Sequence, residues 1–434
     1  MTRRALQTHL LGLAVLLSAS VTSAHAATIA IEGATVHTLA APPENGKIEN
    51  ATVLLVDGRI AAVGTGLTIP ADARRIDARG RHVTPGVIDS LSRVGLVEVG
   101  AVDGSADTAS DDDRYHAALS VADALNPRSS LVAVNRAEGL TTAVVFPEAG
   151  EKSLIVGRAA AVELGDGQLR LLASPAAMFV VLGEAGAERA GGSRAAALLY
   201  LREALAEAKD YAANRVAWNE GRHHGYELSR LDLEALGPVA RGEVPLVVWA
   251  HRASDLEAAI AFARETSVRL ILAGATEAWK IADQLVAAKV PVLFDPLDNL
   301  PATFEQLGAR LDQAALLDKA GVQFAFMSGD AHNARNLRQA AGNAVANGLP
   351  WTRGLAAITR DAAQIWGLKA LGSIAVGNEA TLVVWDGDPL EITTYPTHVF
   401  VRGAEMPTTT RQTELRDRYQ RPAAEAPNAP APPR

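Results

Sequence analysis

The sequence predicts an α/β protein: a (β/α)8 TIM-type barrel joined to a small composite β-sandwich domain built from N- and C-terminal segments. Three observations lead there. Strand-like and helix-like patterns alternate through residues 84–370, as parallel strands with crossover helices require. Short apolar strands separated by tight turns fill residues 27–83. The same texture returns at 371–406, and two β-rich pieces at opposite ends of a chain most economically form one domain.

Residues 1–26 read as a signal peptide. Arg3 and Arg4 give a positive start, Leu10 to Val21 is apolar but short for a membrane span, and Ala24-His25-Ala26 offers small residues for cleavage. The chain is therefore expected to be exported, to the periplasm, with no membrane span in its mature form. Its 434 residues include no cysteine, so a large hydrophobic core, not disulfides, must hold the fold. Without residues 1–26 it carries 39 basic and 49 acidic residues, a formal charge of −10, which argues against nucleic acid or anionic membrane as a partner.

In the first β-rich piece, the apolar runs 51–56 and 59–63 flank Asp57-Gly58, a strong hairpin signal. The barrel region predicts strands at 142–146, 177–182, 245–250, 268–273, 290–294 and 322–327, with helices at 194–213, 255–266, 277–289 and 304–320. Ser254 and Glu257 read as a capping box for the helix after His251. The second β-rich piece contributes 380–385 and 398–402. A tail, 407–434, follows and is expected to be disordered at least from 421, where the Pro/Ala-rich run begins.

In such barrels the loops after the strand ends carry the chemistry. The strand end "VIDSLS" gives Asp89, Ser90 and Ser92. Alternation on a strand puts Ser90 and Ser92 on one face. "PLVVWAHR" closes in His251 and Arg252, "LILAGATE" in Gly274 with Glu277 following, and "FAFMSGDAHNARN" in Asp330, His332, Asn333, Arg335 and Asn336.

With these residues in view, the chain resembles the amidohydrolase superfamily, its imidazolonepropionase-like branch in particular. "HVTPGVID" at 82–89 is similar to the family's entry into the barrel and "AEGLTTAVVF" at 137–146 to its second strand. "AITRDAAQIWGL…LGSIAVGNEATLVVWDGDPL" at 357–390 is similar to the return into the β-domain, with Asn378, Glu379 and Thr381 where a lysine and two aspartates are usual. The resemblance implies hydrolysis of carbon–nitrogen bonds in amides, cyclic amides or dipeptides at a one- or two-metal centre. It places a His-x-His pair after strand one, a carboxylated lysine or glutamate near strand four, histidines after strands five and six, and an aspartate after strand eight. On this chain those positions fall on Ser90 and Ser92, on no residue better than Glu184, on His251, on Gly274 and on Asp330. The expectation is a degenerate metal site.

Several readings of the site remain open. His251, Asp330 and His332 form a candidate set for one zinc or similar ion. Without metal, Asp330 is a candidate general base, with His251 or Arg252 as oxyanion partner and Ser90 or Ser92 as nucleophile. Asn333 and Arg335, with Arg252 and Glu277, are candidates for holding a small amide or peptide-like ligand. The functional alternatives are a weak or altered hydrolase, or a non-catalytic binding protein, acting as a homo-oligomer or paired with a complete amidohydrolase. His223-His224 is expected to point apart on an extended connection, and Asp103–Asp113 to form a solvated acidic loop over the barrel mouth.

Overall fold

The computed structural model describes residues 28–40, 46–110 and 114–420. The expected signal peptide at 1–26, the expected disordered run from 421 and Asp111–Asp113 lie outside them. Among the described residues no helix is long and apolar enough to cross a membrane.

Two sheets of eight strands organise the described residues. The first contains β1 (Ile29–His37), β2 (Lys47–Val56), β3 (Arg59–Gly64), β4 (Arg74–Asp77) and β5 (His82–Pro85). The C-terminal strands β14 (Leu382–Trp385), β15 (Pro396–Val401) and β16 (Ala404–Met406) complete it. The ends of the chain meet where β14 pairs antiparallel with β5, Val384 opposite Val83. The strands of this domain are joined through β1, which pairs with β2, β4 and β5, and they enclose a core of their own that includes Ile31, Val53, Leu382 and Phe400. The Asp57-Gly58 turn joins β2 to β3 with both residues at positive φ, 50° and 76°, as a type I′ hairpin turn requires. Fully buried Trp385 donates its indole N–H to Thr84 Oγ1 at 2.8 Å. Beside it, buried Arg338 donates to the carbonyls of Pro389, Glu391 and Thr394, fastening the 386–394 loop to the barrel's helical shell.

The second sheet is the barrel: β6 (Val87–Ser92), β7 (Leu140–Val145), β8 (Ile155–Leu164), β9 (Leu169–Val181), β10 (Leu246–Ala250), β11 (Leu270–Gly274), β12 (Val292–Phe294) and β13 (Phe324–Phe326), neighbours in that order. All are parallel except β8, which pairs antiparallel with both β7 and β9. The expected strand–helix alternation fails here: a long hairpin, β8–β9, takes the place of a crossover helix. Its Ala-rich segment 155–162 has no helical stripe, being buried along almost its whole length.

The barrel interior is apolar, including Ile88, Leu91, Val181, Val247, Ile271 and Met327. The seam between β13 and β6 is closed by the residues just past β13. Gly329 N–H donates to Leu91 O at 2.9 Å and Arg93 N–H to Asp330 O at 3.0 Å. Asp89, fully buried, completes the seam by accepting Ser328 N–H at 3.0 Å, Leu91 N–H at 3.2 Å and the Ser328 hydroxyl.

Candidate functional site

Two cavities adjoin at the barrel mouth, with Trp249 and Gly329 lining both. The larger, about 490 Å³, is an apolar slot walled by Leu91, Phe146, Phe179, Val181 and Trp249. Arg93 and Glu148, ion-paired at 2.6 Å, form its polar edge. Ala109 from the acidic run also lines it, so part of that run does reach over the mouth. The smaller, about 290 Å³, has a mixed lining in which His251, Asp295, Asp298 and Ser328 stand beside Trp249, Leu297 and Met327. A larger cavity of about 970 Å³ lies at the junction of barrel helices and β-domain, lined by Arg353, Arg360 and Asn378, away from the strand ends.

His251 follows β10 directly and packs edge-on to Trp249, centroids 5.3 Å apart. Gly274 makes room for it: a Cβ there would sit 2.9 Å from the imidazole Cε1, and φ of +78° already favours glycine. The imidazole Nδ1 lies 2.7 Å from Thr276 Oγ1, and that hydroxyl is 3.4 Å from Asp298 Oδ2. Gln306 also donates to Asp298 Oδ2, at 2.9 Å. With the threonine proton on the carboxylate, Thr276 accepts from Nδ1–H and Nε2 is an acceptor; with it on Nδ1, Nε2 carries the proton. Burial holds the His251 pKa below its ordinary value, opposed by Asp298. Burial and neighbouring Asp298 push Asp295 up.

The expected site residues are not gathered. A bulge interrupts the β6–β7 register between Asp89 and Ser92. It turns Leu91 into the barrel and Arg93 to the mouth, while Ser90 and Ser92 are fully buried outside both cavities. Ser92 Oγ donates to Asp330 O at 3.1 Å. Asp330 itself turns into its own loop, where Oδ1 accepts from His332 N at 2.8 Å and Asn333 N at 3.1 Å. Burial raises the Asp330 pKa, but these donors and the Asn333 amide outweigh it, and the net shift is downward. His332 and Arg335 contact each other at 3.3 Å, and Arg335 also reaches Gln412. These residues serve the turn before the helix Leu337–Ala346.

Glu277 is likewise structural. It accepts Ala253 N–H at 3.0 Å and so caps the helix Ala253–Thr266, the role expected of Ser254 and Glu257. Arg252, its N-cap residue, pairs with Asp255 at 2.9 Å. Glu184 is exposed beyond the end of β9. Leu91, Phe146, Phe179, Trp249, Thr276, Asp295 and Asp298 were missed in the sequence. The "LFDPLD" at 293–298, in which Asp295 directly follows β12, was a strand-end signal as good as the others.

A divalent ion needs converging nitrogen, oxygen or sulfur donors. Among the described residues, the one trio of His, Asp or Glu with ligand atoms mutually within 4.8 Å is Asp210, His223 and His224, and His251, Asp330 and His332 form no such group.

Residues 204–410 match the amidohydrolase family model. An amidohydrolase from Thermotoga maritima superposes with a TM-score of 0.78 at 26% identity, covering 88% of this chain and all of that one. Amidohydrolase tasK of Hapsidospora irregularis is 26% identical over 389 residues, 82% of this chain; the match spans 39% of that protein's length. Deacetylase Atu3266 of Agrobacterium fabrum is 48% identical over 46 residues, 10% of this chain and 11% of its own. Family match and fold agree: residues 204–410 carry the amidohydrolase family match, and the chain has the amidohydrolase TIM-type fold.

Proposed function

We propose that this chain is an exported, periplasmic member of the superfamily that holds a small amide or peptide-like ligand at its barrel mouth without a resident catalytic metal. The observation that carries the reading is what stands at the mouth. The strand-one positions there are Leu91 and Arg93, the strand-six position is Gly274, and Asp330 is committed to backbone donors. This donor set does not fit a zinc ion, which takes three protein ligands and a water in catalytic sites. The paired cavities suit an amphipathic ligand: an aromatic or aliphatic part in the Phe146–Phe179–Trp249 slot, and a polar part against His251, Asp295 and Asp298.

The test uses tag-free protein from which residues 1–26 have been cleaved, titrated with N-acyl amino acids, dipeptides and cyclic amides while Trp fluorescence is followed. Saturable binding that weakens at least about tenfold in Trp249→Ala, from loss of a buried aromatic anchor, is expected. Stoichiometric metal lost in His251→Ala, with metal-dependent amide cleavage, would sink the reading.

One observation favours turnover. The Asp298–Thr276–His251 chain orients an imidazole that lines the cavity, and with Nδ1–H donated to Thr276 its Nε2 is free to act as a general base. In that second reading, His251 takes a proton from water attacking the ligand's carbonyl and returns it to the departing amine nitrogen as the carbon–nitrogen bond breaks, so cleavage persists in chelator but fails in His251→Ala.

A further inference from the structure

Far from the mouth, the helix Arg194–Asn219 carries a second group of chemistry. Arg194 stands near the mouth, ion-paired with Asp255, and the helix runs roughly 24 Å from there to Asp210 at 1.5 Å per residue. At that end Asp210, His223 and His224 bring one carboxylate oxygen and two ring nitrogens within 4.8 Å of one another. We propose that these three side chains bind one divalent transition-metal ion, of which zinc is the natural example.

His223 is the centre of the group. Its Nδ1 lies 3.1 Å from His224 O and its Nε2 lies 3.2 Å from Asp210 Oδ2, so both ring nitrogens face acceptors. A neutral imidazole has one N–H to give. In the neutral ring with Nδ1–H serving the carbonyl, the Nε2 lone pair faces a carboxylate oxygen, and a cation between them is bound by both. A histidine that donates its other N–H to a backbone carbonyl is the usual arrangement around a metal. The separation fits as well: at zinc–nitrogen and zinc–oxygen lengths of about 2.1 Å, a tetrahedral edge is about 3.4 Å.

The surroundings hold the donors ready. Asp210 Oδ1 accepts from Asn214 Nδ2 at 2.9 Å, and Oδ2 from Tyr226 OH at 2.8 Å. Asn214 is also where the helix departs from helical geometry, φ −111° and ψ 15°. Glu207, one turn earlier, accepts Glu227 N–H at 2.9 Å and Leu228 N–H at 3.2 Å, which pins the 220–229 loop against the helix. The Tyr226 ring stacks on His223, and the two histidine rings lie 4.1 Å apart. Adjacent histidines expected to diverge are thus turned together by the loop. Two imidazoles and one carboxylate select zinc, nickel or copper over magnesium or calcium. Water takes the remaining position. The ion would staple the loop to the helix rather than serve the mouth.

The probe is zinc chloride added to the full tag-free chain, followed by calorimetry, with cobalt(II) replacing zinc for its visible spectrum. One equivalent should bind, with the strong bands of four-coordinate cobalt. His224→Ala should weaken binding by at least about 100-fold and Tyr226→Phe by about tenfold, as loss of a ligand and of a supporting hydrogen bond imply. His224→Ala is decisive because it leaves the His223–Asp210 contact intact: an ion pair would survive it and a metal site would not. The assignment is overturned by no saturable zinc binding, by unchanged binding in a folded His224→Ala variant, or by binding lost in His251→Ala instead.

Discussion

Replacing Asp89 with asparagine should remove a pH dependence of stability that the barrel seam imposes. The Asp89 carboxyl is fully buried and accepts from Ser328 N, Leu91 N and the Ser328 hydroxyl. Burial is the dominant influence on its acidity. It lifts the pKa from an ordinary 3.8 to about 7, against the opposing pull of those donors. An acid whose folded pKa lies above its unfolded value binds more protons when folded. Its stabilising contribution is therefore complete below pH 3.8, declines as pH rises toward 7, and is flat above. At 1.36 kcal/mol per pH unit of displacement, the decline is worth about 4 kcal/mol. Asparagine preserves the geometry: its carbonyl accepts the two backbone donors, and its amide donates to Ser328 Oγ after the hydroxyl rotates. Urea denaturation followed by Trp fluorescence between pH 5 and 8.5 measures the difference between the two proteins. Asp89→Asn should gain on the wild type from pH 5 to about 7, by about 3 kcal/mol, and hold that gain level above. Parallel stability curves would refute the reasoning, because they would mean that Asp89 does not change protonation on folding.

Other consequences follow from the site and its frame. Gly274→Ala forces a Cβ to within 2.9 Å of His251 and should cost about 1–3 kcal/mol by overpacking, with the His251–Thr276 hydrogen bond lost from the imidazole NMR signals. A proton titration of His251 by NMR should give a pKa below 6.5, because burial outweighs Asp298, and lower still in Asp298→Asn. A value above 6.5 would contradict the burial argument. Thr84→Val strands the buried Trp385 N–H and should destabilise by about 1–3 kcal/mol in the same urea assay, a cost that an unchanged midpoint would deny.

Much of the fold was legible because period-2 and period-3.6 patterns survive in sequence. The Asp57-Gly58 hairpin and the strand–helix units from β9 onward are examples. The β8–β9 hairpin was not, since a fully buried Ala-rich strand carries no alternation. At the site, His251 could be found because one polar residue ending an apolar run is a local signal. Ser90 and Ser92 misled for a physical reason: strict alternation assigns them one face, but the bulge in β6 hands the mouth to Leu91 and Arg93. The Ser254–Glu257 cap lost to Glu277, a partner supplied by the next strand end and invisible to any short window. His223 and His224 show the same limit, since the turn that joins their rings is held by Glu207 on another element.

The reversed strand β8 changes what the mouth can become. In an ordinary barrel, a loop at the chemical face leads into a helix, so altering its length disturbs the outer ring. Here the chain leaves β7, lines the slot with Phe146, Pro147, Glu148 and Ala149, and re-enters the sheet through β8 at the same face. That connection is a hairpin loop, free of any helix it must feed. Insertions and deletions within it are therefore the cheapest route to a new wall for the slot. It is where a designer, or natural divergence, would reshape ligand choice while leaving the scaffold as it stands.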